Sequence, residues 1–250
     1  MNNARSTVCR SLLLLAGFTA ALAAWESATK PSAYAPAADL IRQLETMVKR
    51  MGEDLSAEAD YGEDQQGRIV KDANTVIVIG QVLGVHDQEH RLKGAAAGIV
   101  SAAGKLAGCA GEFARAQSAW NELKMALSGR SDDKVEWKPT ADVVALMKQV
   151  PIINNSLRRG VGGNRFAKTL DQSAAQAATL AAIAEVSGLD SAYCESDADL
   201  QLWRRVSAEM RDAAAAVAAA VRKEDQKEAS AGLDRLVKSC DACHERFRNQ

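Results

Sequence analysis

The sequence predicts an all-α protein. Apolar residues recur at a 3.6-residue period in segments from Ala37 to the C-terminus. Aromatic residues make up 4% of the chain and only four prolines occur in it, a composition that suits helices better than a β-sandwich. The periodic segments also fall into two runs of four, each segment broken from the next by a short glycine or polar stretch.

Taken in order, residues 1–35 read as an export signal. Arg5 and Arg10 form a positive start, Ser11 to Ala24 an apolar run, and small residues follow. The run is too short for a stable membrane span. Cleavage is expected near Ala24 or after Ala33-Tyr34-Ala35, with Pro36 counting against the second site; Cys9 precedes the apolar run and belongs to the signal. Four helices are then predicted over 37–60, 66–85, 88–109 and 111–128. A polar linker, Ser128 to Lys138, separates them from four more over 140–158, 164–187, 196–222 and 225–248. Pro139 is expected at the start of the fifth helix, where its missing N–H goes unmissed. The alanine run Ala213 to Ala220 predicts close helix packing.

The two runs read as a degenerate repeat. Asp39-Leu40-Ile41 matches Asp142-Val143-Val144 at an offset of 103, and Val82-Leu83-Gly84-Val85 matches Val186-Ser187-Gly188-Leu189 at 104. Ser118 and Leu123 match Ser230 and Leu236 at about 113, and loop insertions explain the growing offset. The organisation expected is a signal at 1–35, a four-helix unit at 36–130 and a second at 131–250.

Charged residues are 25% of the chain, hydrophobic residues 47%, and the net charge is -1. This is a globular balance with no electrostatic footprint for nucleic acid or an anionic membrane.

The most specific motif is Cys240-Asp241-Ala242-Cys243-His244. A Cys-x-x-Cys-His string is the attachment signature of a c-type haem. On a helix the thiols at i and i+3 share one face, so both reach the vinyl groups of one porphyrin, and the imidazole at i+4 points at the iron. Two other readings stand beside it. A redox-active Cys-x-x-Cys belongs at the start of a helix after a strand, and a zinc site needs two further ligands, for which Cys109, Cys194, His86 and His90 remain. His86 and His90 are expected in a solvated turn. Cys109 and Cys194 have the option of pairing in an oxidising compartment. Carrying the repeat offset forward puts Leu127, Arg130 and Ser131 where the second unit has Cys240, Cys243 and His244, so the first unit is expected to hold no covalent haem.

A four-helix unit whose last helix ends Cys240-x-x-Cys243-His244-x-x-Phe247-Arg248 resembles the class II c-type cytochromes, the cytochrome c′ family. The resemblance implies two tandem up-down-up-down bundles, with one haem c held covalently by Cys240 and Cys243 and ligated by His244. It also implies a first-helix residue facing the distal side of the iron. Met147 occupies that place, as a ligand or as core packing beside the ring, with Val150 one turn on; Phe247 and Arg248 complete the expected pocket. The family's propionate arginine is replaced by Val143, with Arg158, Arg159, Arg165 or Lys168 as substitutes. Pro151 is expected to kink this helix, and Trp203 to pack at the porphyrin edge or elsewhere in the core. The function implied is one-electron transfer by an exported, periplasmic, non-enzymatic cytochrome with an unidentified redox partner protein; the alternative is a five-coordinate haem that binds NO or CO. Family members pair through their first two helices, so the tandem chain is expected to be a monomer with a dimer-like contact inside it.

Overall fold

The structure is a computed structural model and describes residues 29–248; the apolar run, Arg5, Arg10 and Cys9 of the expected signal lie outside these residues. Among the described residues the fold is all helix, without a strand. The α-helices are α1 (Pro31–Tyr34), α2 (Ala37–Asp54), α3 (Glu63–Gly84), α4 (Ala96–Cys109), α5 (Phe113–Ser128), α6 (Val143–Val161), α7 (Leu170–Ser187), α8 (Asp197–Arg222) and α9 (Gln226–Phe247). Short connections make successive helices antiparallel neighbours. In each of the sets α2–α5 and α6–α9, every helix packs on the next and the fourth returns to touch the first. The result is the bundle architecture expected from the sequence.

Several boundaries differ from the periodicity, each for a local reason. Residues 86–95 form a tight turn and one 3₁₀ turn, Lys93–Ala95, rather than the start of the third predicted helix. Asp87 is drawn out of helical geometry there by accepting bonds from Ser32 N (2.9 Å) and Ser32 Oγ (2.6 Å). The 164–187 helix begins only at Leu170, because Gly163 takes φ +69° and a 3₁₀ segment, Gly163–Lys168, follows. Pro139 lies in the loop before α6; the helix is instead capped by the Asp142 carboxylate, which accepts from Val144 N at 2.8 Å. Residues 31–35, read as the end of the signal, form α1 and the turn after it, with Tyr34 and Ala35 fully buried.

One hydrophobic core runs through both sets. Its centre is α3 and α7, whose middles are buried on every side, as expected of a helix apolar or small all round. The sets meet through their first two helices: α2 and α3 face α6 and α7. Polar groups stitch this seam. Arg50 and Gln149 both donate to the buried Asp72, Gln149 Nε2 at 3.0 Å, and the Asp142 amide donates to Asn74 Oδ1 at 2.7 Å. Burial raises the Asp72 carboxyl pKa, against the lowering effect of Arg50.

Candidate functional site

The site is built from α9 outward. Asp225 caps α9 by accepting from Glu228 N at 2.9 Å. Gly232 lets the helix lie close on α8, since a Cβ there would stand 2.7 Å from Val217 Cγ2. Leu233 and Leu236 are buried, and the same 3–4-residue stripe continues through Cys240 and Cys243 to Phe247. The stripe that packs the core thus delivers both thiols to the open end of the bundle.

There a cavity of about 240 Å³ opens between α6, α7, α8 and α9. Cys240, Cys243 and His244 line one side of it, and Met147, Val150 and Pro151 line the α6 side. Val206, Met210 and Trp203 of α8 close a third wall. The motif and the α6 residues matched to it by resemblance therefore share one cavity. Phe247 and Arg248 stand apart from it. Phe247 is buried in an aromatic cluster with Val143 and Trp203, against which Met147 and Cys243 also pack, and Arg248 is exposed at the end of α9.

That cluster fixes the end of the bundle. Trp203 meets Phe247 edge-on, with ring centroids 5.1 Å apart at 87°, and stacks on Tyr193 at 5.8 Å. Its indole N–H donates to Ser187 O at 2.8 Å. Arg246 clamps the start of α8 by donating to both Asp199 oxygens at 2.9 and 3.1 Å, and this hydrogen-bonded ion pair lowers the Asp199 pKa below the usual carboxylate range.

Burial pushes the Cys243 thiol up to about 11 and raises Cys240 as well. Both are therefore protonated near neutral pH, the reverse of the lowered thiol of a disulfide oxidoreductase. No group of three or more His, Cys, Asp or Glu side chains able to hold a metal ion occurs among the described residues. His86 is buried, correcting the expected solvated turn: its Nδ1 accepts from Gln88 N at 3.1 Å and its Nε2 lies 3.3 Å from Ala35 O. Cys109 and Cys194 are both free.

The cavity fits a porphyrin by the chemistry of its donors. Two neutral thiols and an imidazole share one helix face, a methionine of α6 lines the same cavity, the walls are largely apolar, and two buried polar atoms, Asn154 Oδ1 and Ser187 Oγ, have no partner. Sequence reasoning missed Asn154 and Ser187. Asn154 continues the α6 stripe Val143, Met147, Val150 and so was findable; Ser187 comes from a different helix and carries no signal. Among the four candidate propionate cations only Arg158 lines this cavity; Arg159, Arg165 and Lys168 line a separate groove. α6 runs as one helix through Pro151, which removes the N–H that would bond the Met147 carbonyl.

No helix among the described residues is long and apolar enough to cross a membrane. Comparison with curated proteins and with solved structures gives no match. Residues 195–248, which span α8 and α9 with the whole Cys240–His244 motif, match the family model described as Cytochrome C', and this supports a c-type haem protein of the cytochrome c′ type.

Proposed function

We propose that the chain is an exported one-electron carrier of a single haem c, which Cys240 and Cys243 would hold by thioethers and whose iron His244 and Met147 would ligate. The observation that carries this reading is that Met147 of α6 lines the same cavity as the motif on α9. When bound, the haem supplies a ferric/ferrous couple whose potential is set by its axial ligands and burial. The chain's own residues hold and shield it. Trp203, Val206 and Met210 exclude water from one side, and Arg158, at the cavity's edge, offers a cation to the propionates. One-electron transfer makes and breaks no covalent bond, so the reading is of a carrier and not an enzyme.

The first set, α2–α5, is the haemless copy in this proposal. α5 ends at Ser128, so Arg130 and Ser131 fall beyond it, and neither they nor Leu127 carries a thiol or imidazole. The seam of α2 and α3 against α6 and α7 is then a dimer contact made within one chain, and the protein is a monomer. The packing of Tyr34 and Ala35 into the core supports signal cleavage upstream of Pro31, near Ala24.

The alternative is a five-coordinate haem, which Met147 would not ligate and which would bind NO or CO. The unpartnered Asn154 Oδ1 and Ser187 Oγ favour it, because they put polar atoms in the cavity. Absorption spectra with and without carbon monoxide separate the two. The carrier reading expects a far-red sulfur-to-iron band in the ferric protein and ferrous spectra indifferent to carbon monoxide, with both properties lost in Met147→Ala. Rapid carbon monoxide uptake by the unmutated ferrous protein would replace it with the gas-binding reading.

A further inference from the structure

Three polar side chains lie buried along α3, a helix of the first set: Asp72, Asn74 and Gln81. All three bond to the stretch of chain that carries Met147. Gln81 Nε2 donates to Lys138 O at 2.7 Å and to Glu136 O at 3.2 Å. Asn74 Oδ1 accepts from Asp142 N at 2.7 Å, and Asp72 Oδ1 accepts from Gln149 Nε2 at 3.0 Å. The partners come in reverse order along the sequence, so α3 runs antiparallel to the linker and the first two turns of α6. At its end Gly84 leaves room for Val135 of the same linker, which a Cβ would displace.

Taking polar groups out of water costs free energy, and Gln81 also leaves its own Oε1 without a partner. What the three side chains provide, and apolar packing does not, is register, because each bond is directional. The linker shows this most plainly: residues 136–140 are exposed, so bonds to α3 rather than burial hold them in place.

The same holds behind Met147. Met147 lines the cavity between α6 and α9, and Gln149, two residues on, is turned about 200° away around the helix axis. Gln149 is 1% exposed and meets Asp72, which Arg50 Nε holds in turn at 2.7 Å. Pro151 has no N–H to offer the Met147 carbonyl, so α6 lacks one bond of its own ladder beside Met147. The bond from Gln149 to Asp72 braces the helix at that place.

We propose that α3 of the first set positions α6 at the cavity, with Asp72, Asn74 and Gln81 fixing the register in which Met147 is presented. A set that lacks the Cys-x-x-Cys-His string thereby governs the α6 side of the cavity in the other set. The consequence at the haem rests on the carrier reading; the clamp itself rests only on these bonds.

Two near-isosteric variants test it. Gln149→Met leaves Asp72 paired with Arg50, and Gln81→Met leaves carbonyls in an exposed linker that water can reach, so both should fold. Leu123→Ala, in the core of α5, serves as a control that lowers stability without touching these bonds. Hydrogen exchange followed by mass spectrometry on the full mature chain as purified should show residues 143–150 exchanging about fivefold faster in each Met variant, relative to α7. Leu123→Ala should leave that ratio unchanged. In haem-bearing protein both Met variants should weaken the far-red sulfur-to-iron band and speed carbon monoxide uptake, and Leu123→Ala should do neither. An exchange ratio unchanged in the Met variants, or raised equally by Leu123→Ala, would overturn the clamp. Faster exchange with the band and the uptake rate both unaltered would overturn its hold on the cavity. A band missing from the unmutated protein would instead remove methionine ligation, and the exchange ratio and the uptake rate would still decide the clamp.

Discussion

Trp203→Ala removes the side chain that joins the end of the bundle to the cavity. The indole is 5% exposed, donates to Ser187 O at 2.8 Å, and meets Phe247 edge-on at 5.1 Å. Truncating a buried tryptophan costs about 3–5 kcal/mol. Within that, the lost hydrogen bond accounts for about 1 kcal/mol and the Phe247 contact for about 0.5–1.5 kcal/mol. Against a total stability of about 5–15 kcal/mol, the variant should unfold at a clearly lower denaturant midpoint. Trp203→Phe keeps an edge for Phe247 and loses the N–H, so about 1–2 kcal/mol is expected. Guanidinium unfolding followed by circular dichroism measures both, and the double variant with Phe247→Ala isolates the ring pair, whose coupling should be about 0.5–1.5 kcal/mol. A cost below about 1 kcal/mol for Trp203→Ala, with no coupling to Phe247, would refute the packing that places α9 over the cavity.

Arg246→Gln tests the clamp at the same end. The Asp199 pKa is lowered in the folded chain, so its contribution is fully present above the unfolded carboxylate value of about 3.9 and is lost as pH falls through the lower native value. A stability profile against pH should therefore show a shallower acid limb in Arg246→Gln. Tyr34→Ala should cost about 3 kcal/mol in thermal or chemical unfolding, since Tyr34 is 3% exposed. By the same packing, intact-mass analysis of exported protein should place its first residue before Pro31, whereas a first residue at Pro36 would contradict α1. Gly232→Val should destabilise by about 1–3 kcal/mol through overpacking against Val217, and should shift α9, read as a changed absorption spectrum in chromophore-bearing protein.

The α9 side of the site was legible because its chemistry is local. Cys240, Cys243 and His244 declare themselves by spacing alone, whereas Met147 and Val150 came from the resemblance to the cytochrome c′ family, the 3–4-residue stripe saying only that they share a helix face. What sequence could not give is the contact between stripes. Trp203 comes to the cavity from α8 and Ser187 from α7, and no period in one segment announces another segment's approach. The eight long helices were readable from apolar spacing, yet their starts were misplaced where a tertiary bond wins over propensity, as Ser32 does at Asp87. α1 was missed because a small-residue stretch after an apolar run reads as a cleavage region, while α1 packs against α7 and α8, where Arg211 lies 5.8 Å from the Tyr34 ring centre. Arg158 was separated from Arg159 only by direction: adjacent residues on a helix diverge by about 100°, and one faces the cavity while the other faces the groove.

Peptide mass analysis of the mature protein, made in cells that attach c-type haem, bears most directly on the central claim. One haem joined by two thioether bonds to the peptide containing Cys240 and Cys243, resistant to acidified acetone, is the result expected. Haem released by that extraction, or those two cysteines recovered unmodified, would contradict it.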